Sequence, residues 1–141
     1  AQLIADVLGA KVYPGVHKEI GWFDINRSPE VENTCLGGVF PETFTAFHWH
    51  GDTFEVPQGA TLLGSSEACK FQGFVFDNRV AGLQFHLETT PESAAALIEH
   101  CGDELDDSRY VQSAKDMMVD EARFTDLNKV MFALLDKMER D

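Results

Sequence analysis

His86 and Glu88 stand two residues apart near the end of the run GLQFHLETTPE, residues 82–92. In extended backbone, positions two apart share a face with their Cα atoms about 6 to 7 Å apart, so an imidazole and a carboxylate there can hydrogen-bond. A carboxylate on one ring nitrogen fixes the tautomer, favours the imidazolium and leaves the other nitrogen to shuttle a proton for a nucleophile. Loss of such an orienting carboxylate from a serine-type triad costs about 10³ to 10⁴ in rate. Taken alone, H-x-E is equally the signature of a histidine and a glutamate satisfied at a strand end for structural reasons. The residues after the pair are informative: Thr90 can cap a helix, Pro91 suits a first helical position and Glu92 a first turn. The pair is therefore expected where a strand tip meets a helix N-terminus, the place where ligands collect in open α/β sheets.

A second constellation is FHWHGDTFEVPQG, residues 47–59. If extended, His48, His50 and Asp52 share one face, and an H-x-H-x-D run offers ligand types suited to zinc or iron. His50 with Glu55 also mimics part of a cupin metal box, although a cupin is mostly β and this chain closes with helical segments. The bland alternative is a strand end entering a polar turn capped by Asp52. A competing, enzyme-free function is thus a metal-binding module built on His48, His50, Asp52 and His86. Cys35 in NTCLGG imitates a nucleophile elbow, but Gly37, Gly38 and Pro41 follow it, and an elbow needs a helix there. It is read as a decoy, with Cys69 and Cys101 as packing thiols.

The elements that must position these groups can be read from patterning. AQLIADVL, residues 1–8, carries Leu3, Ile4, Val7 and Leu8 at helical spacing, with Gly9 as a stop and no start signal, so the helix is expected to begin upstream. KVYPGVHKEIGWFDI is strand-like with an open register, residues 26–40 are loop-rich, and TFTAFHW is a strand entering a loop at HGD. ATLLGSS is expected as one short strand, and FQGFVF and VAGLQFH as two strands around a turn at Asp77-Asn78. From Pro91 the chain turns helical. A helix stops near Gly102, a short one comes after Ser113, and Thr125 caps a terminal helix with the stripe Leu127, Val130, Met131, Leu134, Leu135 and Met138. Strands flanked by helices predict an α/β fold.

Composition narrows the function. The chain has 141 residues, 44% of them apolar, enough for one core and short for two domains. No apolar stretch approaches the roughly 18 to 20 residues of a membrane span, and no export signal opens the sequence. Three cysteines in no metal or disulfide spacing suit a reducing cytoplasm. With 24 acidic against 11 basic residues the net charge is −13, which repels nucleic acid and anionic membrane. Small molecules or another protein are the expected partners, and assembly with further copies is left open.

Together, AQLIADVLGAKV, FHWHGD and GLQFHLE resemble, in order and spacing, the class I (triad) glutamine amidotransferase domain over about residues 1–101. The family's Q-F-H-x-E strand is matched by Gln84, Phe85, His86, Leu87 and Glu88, with Leu87 where proline is commoner. The resemblance implies a three-layer, flavodoxin-like α/β fold, incomplete at the N-terminus, with residues 1–141 as one domain and 103–141 as a helical tail. It implies His86 as the base that activates a cysteine and then the acid that protonates departing ammonia, with Glu88 orienting it. Gln2 would be the last member of the family's G-x-C-x-G-x-Q motif and help hold glutamine. His48, Trp49 and His50 would meet the substrate's amino-acid end, partly through backbone groups. No cofactor is implied, and the partners would be glutamine and an ammonia-accepting synthase domain or subunit. The motif's cysteine would lie upstream of Ala1, so the 141-residue chain is expected to be inactive by itself; a catalytically dead relative acting as a binding subunit is the third reading.

Overall fold

The structure, a computed structural model, describes residues 1–140. Its frame is an antiparallel ribbon of β1 (Val12–Arg27) and β2 (Thr43–Phe54). The register sets Glu19 opposite His50, Gly21 opposite His48, Trp22 opposite Phe47 and Ile25 opposite Phe44. Ile20, Trp22, Ile25, Phe44, Ala46 and Phe47 are all buried, so apolar packing specifies that register. β2 runs through the His-Gly-Asp segment to Phe54, so the expected loop is instead strand. A register shift between Pro14 and Glu19 in β1 accommodates it.

The run ATLLGSS, expected as one strand, is split at Leu63 between two sheets. β3 (Thr61–Leu62) joins β5 (Gly73–Phe76) and β6 (Val80–Leu83) in the order β3-β5-β6. β4 (Gly64–Ser65) pairs with the end of β1 in the order β2-β1-β4. Leu63 is fully buried at this corner, donating to Gly73 and accepting from Ser28 through its backbone. The turn between β5 and β6 is the expected one: Asp77 and Asn78 both have φ of 52°, the conformation of a type I′ hairpin. Beyond it, β6 stops at Leu83 rather than continuing to His86. His86 meets β2 through an isolated antiparallel bridge to Phe47.

Helices pack on this frame. α1 (Gln2–Val7) buries Ala5 and half-buries Ile4 and Leu8 near Phe54 and Phe74, whereas Leu3 and Val7 are 83% and 84% exposed. The four apolar residues at helical spacing therefore do not form one buried stripe. Gly9, at φ 82°, ends the helix as expected. α2 (Pro91–Cys101) begins with a reciprocal capping box, Thr90 accepting from the Ser93 N–H and Ser93 from the Thr90 N–H. α3 (Ala114–Met118) is capped by Ser113. α4 (Ala122–Arg140) starts three residues before Thr125, because Asp120 accepts from the Ala122 N–H and provides the earlier start. Its Leu127 and Leu134 are buried, and Val130, Met131 and Met138 are half-buried; Leu135, turned about 100° from Leu134, is 47% exposed and lies off the stripe.

The segment between α2 and α3 is not helical throughout. Tyr110, Val111 and Gln112 lie along β1, with a parallel bridge Ile20–Val111. The Gln112 side-chain amide pairs with both backbone groups of Trp22, at 2.9 and 3.0 Å. Gly21 makes this possible: its φ is 119°, and a Cβ there would meet Gln112 Oε1 at 2.5 Å. The fold is α/β, and the strand ladders among the described residues are antiparallel. No described helix is long and apolar enough to cross a membrane.

The joint between helices and ribbon is aromatic. Trp22 packs edge-on against Phe47 and Phe124, with ring centroids 5.3 and 4.8 Å away, and its Nε1 donates to the Met117 carbonyl at 2.9 Å. Phe124→Ala is expected to destabilise the fold by about 3 to 5 kcal/mol, read as a lower urea midpoint at unchanged slope, while Leu135→Ala stays within about 0.5 kcal/mol. A small effect at Phe124 would show that α4 is not docked through this ring.

Candidate functional site

The segment from Gln84 to Thr90 leaves the β6 ladder and is held by bonds to other elements. The His86 N–H donates to the Phe47 carbonyl at 2.8 Å, and the Gln84 N–H to the Gln72 carbonyl at 3.0 Å. Leu87, 1% exposed, is the apolar anchor between His86 and Glu88. From α4, Asn128 Nδ2 donates to the carbonyls of Leu87 and Thr89 at 2.7 and 3.1 Å. The backbone on both sides of Glu88 is thus fixed by one buried anchor and one side-chain amide.

On this support His86 Nδ1 lies 2.7 Å from Glu88 Oε1, in the range of a charge-assisted hydrogen bond. The His86 bond chiefly holds the Glu88 carboxyl below its ordinary value, outweighing the opposing effect of partial burial. The side chains are 36% and 61% exposed, so the pair faces outward. With Nδ1 engaged, Nε2 is the nitrogen left to exchange a proton with a reacting group.

Gln2 lies beside this segment. Its Nε2 donates to Gln84 Oε1 at 3.1 Å, two residues before His86. The Gln84 amide is held in turn, with Nε2 donating to the Phe71 carbonyl and to Cys69 Sγ, both at 3.2 Å, and lying 3.5 Å from His50 Nε2. The start of α1, the end of β6 and the histidines of β2 therefore share one polar network.

The structure places His48, Trp49 and His50 differently from a substrate-facing loop. They sit in mid-strand. His48 is wholly buried and Trp49 is half-buried against the core with its Nε1 unpartnered. Contact of His48 with a ligand from solvent would have to run through backbone. His48 and His50 share a face, as alternation requires, and both approach Glu19 Oε2, at 3.5 and 3.0 Å. Asp52 does not join them. It is exposed and pairs with Pro14 beyond the register shift, so the H-x-H-x-D set fails to converge and Glu19 of β1 stands in its place. Burial pushes the His48 ring down to about 4, more than the attraction of Glu19 raises it, so it is neutral at pH 7. Burial alone raises the Glu19 carboxyl, but the His50 hydrogen bond and attraction to His48 lead a net lowering.

Of the thiols, Cys35 comes after a short 3-10 helix (Pro29–Asn33) and is not set between strand and helix. Cys69 lies against Thr53 and Gln84. Sequence reasoning missed Glu19, Gln72 and Asn128. Nothing in KEIGW marks Glu19 as a partner of a residue 31 positions away, and Asn128 is one polar residue on an amphipathic helix. Gln84 was visible only within its motif.

Comparison with known proteins identifies the family of the chain. Residues 1–104 match the class-I glutamine amidotransferase family. The glutamine amidotransferase-like protein YfeJ of Salmonella typhimurium is 33% identical over 141 residues, 98% of this chain and 58% of that protein. A glutamine-hydrolysing GMP synthase subunit from Sulfolobus acidocaldarius is 39% identical over 89 residues, 62% of this chain and 46% of that protein. The crystal structure of a glutamine amidotransferase from Methylobacillus flagellatus superposes with a TM-score of 0.91 at 26% identity, covering 99% of this chain and 59% of that one. The chain thus spans about half to three-fifths of the length of these relatives. A histidine–glutamate pair carried on a Q-F-H-x-E segment, in a fold of this topology and with this match, places the chain in the class I glutamine amidotransferase family.

Proposed function

We propose that the chain supplies the acid–base part of a centre that hydrolyses glutamine to glutamate and ammonia through a cysteinyl thioester. The observation that carries this reading is the 2.7 Å His86–Glu88 bond on an outward-facing segment of a chain from this family. In the proposed sequence the thiol proton passes to His86 Nε2 as sulfur attacks the side-chain carbonyl of glutamine. His86 then returns the proton to the departing nitrogen, and ammonia leaves as the thioester forms. Water attacks the thioester with its proton taken by His86, and glutamate and the restored thiol result. Glu88 keeps the ring in the required tautomer and stabilises the transient imidazolium.

Gln2, fixed by Gln84, is the proposed amide contact to bound glutamine, and the strand at His48, Trp49 and His50 is proposed to contribute backbone groups. None of Cys35, Cys69 and Cys101 is set in a strand-to-helix elbow, so the nucleophile is proposed to come from a segment outside residues 1–141. A reducing compartment such as the cytoplasm suits that thiol. The acceptor of ammonia is proposed to be a synthase domain or subunit, which the relatives named as glutamine-hydrolysing GMP synthases support.

Residues 1–141 alone are expected to release no glutamate above background. With the thiol-bearing segment restored, His86→Ala and Glu88→Gln should each lower kcat by about 10² to 10⁴, and Gln2→Ala should act mainly on KM. Full turnover by the His86 variant would remove that residue from the chemistry. Because the folded Glu88 carboxyl is lowered, its contribution to stability is present above its unfolded value near 4.5 and is lost as pH falls through the lower folded one. The stability gap between the natural chain and Glu88→Gln should therefore be below about 1 kcal/mol at neutral pH for so exposed a pair, and close in acid. A gap that widens in acid would contradict the pairing.

A further inference from the structure

We propose that Glu19, His48 and His50 form a second site, which binds one divalent transition-metal ion of the zinc class between β1 and β2. This stands apart from the glutaminase reading, since it uses neither the reactivity of His86 nor a nucleophilic thiol. The first ground is convergence. One ligand atom from each of the three residues lies within 4.8 Å of the others. The two separations at Glu19 Oε2, 3.0 Å to His50 Nε2 and 3.5 Å to His48 Nδ1, bracket the edge of a small tetrahedron. Metal–nitrogen and metal–oxygen bonds of about 2.0 to 2.1 Å give a tetrahedral edge of about 3.3 to 3.4 Å.

The second ground is unmet bonding in a closed place. Glu19, His48 and Gln72 are each 0% exposed. Glu19 Oε1, both ring nitrogens of His48, His50 Nδ1 and Gln72 Oε1 have no hydrogen-bond partner of ordinary geometry. Burial without a partner costs each such atom free energy, and native interiors rarely keep several together. Of these, His48 Nδ1 is itself a convergent ligand atom, and a cation accepting its lone pair would join it to Glu19 Oε2 and His50 Nε2. The surrounding bonds already orient the ligands: Gln72 Nε2 donates to Glu19 Oε2 at 2.5 Å and to Ser66 Oγ at 2.9 Å.

The donor set also selects the ion. Two imidazoles and one carboxylate suit zinc, cobalt or iron(II), whereas calcium and magnesium demand oxygen ligands throughout. Three protein ligands leave a position for solvent. Glu19 is among the residues around a cavity of about 760 Å³ and His50 among those around another of about 160 Å³.

The test is to strip the chain with chelator, refold it with Zn²⁺ or Co²⁺, remove excess ion and measure metal content. One equivalent per chain is expected, with the visible spectrum of a four-coordinate imidazole-ligated Co²⁺. Glu19→Gln and His48→Gln should each weaken binding at least tenfold, while Asp52→Asn and His100→Gln leave it unchanged. If the buried variants fail to fold, ring ¹⁵N resonances of the unsubstituted chain decide: Zn²⁺ should move those of His48 and His50 and leave those of His17 and His100. Less than a tenth of an equivalent of either ion, binding that survives both buried substitutions, or shifts confined to the exposed histidines would overturn the proposal and leave a cluster filled by water.

Discussion

The hydrogen bond from the His86 N–H to the Phe47 carbonyl ties the segment that leaves the second sheet to the middle of the first. β6 ends three residues earlier, so this bridge shares with the buried Leu87 and Asn128 the task of ordering the segment, at about 1 to 2 kcal/mol per residue. Phe47 can serve as the acceptor because its ring is locked in the aromatic joint with Trp22 and Phe124, which fixes the backbone behind it. Core packing, strand pairing and the placement of the outward-facing His86–Glu88 pair thus meet at one position in β2. Asn128 adds the complementary hold from the helix side.

The same ribbon carries the polar interior. Trp22 opposite Phe47 and Ile25 opposite Phe44 set a register in which Glu19 falls opposite His50, and a slip of one residue would turn those side chains to the other face. Placing a carboxylate and two imidazoles in a closed space is costly, so the site persists only because the apolar contacts on either side determine it. From this cluster the contacts run through His50 and Gln84 to Gln2, and His86 lies two positions beyond Gln84. An interior arrangement therefore bears on the geometry of the outward-facing one.

The strong net negative charge matters to this picture in a general way. An excess of acidic groups, net −13, gives the chain a negative long-range field. Family membership alone fixes the fold and kinship of the chain, and any reaction has to be argued from the chemistry of particular residues.

The features legible in the amino-acid order were local ones. The spacing of His86 and Glu88, the Thr90-Pro91 start of α2, the stop at Gly9 and the Asp77-Asn78 turn all arise from backbone preferences within a few residues, and the structure retains each. Even there the mechanism differed, since the His86–Glu88 contact arises on a bridged segment and not in a regular strand. Packing between distant elements settled the rest. The split at Leu63 and the exclusion of Asp52 in favour of Glu19 were beyond any pattern in the chain. Glu19 and His50 are 31 residues apart, and periodicity along one strand carries no information about which residue faces it from the next. That pairing is set by how large side chains such as Trp22 and Phe47 fill a shared core, a property of the packed chain and not of any window within it.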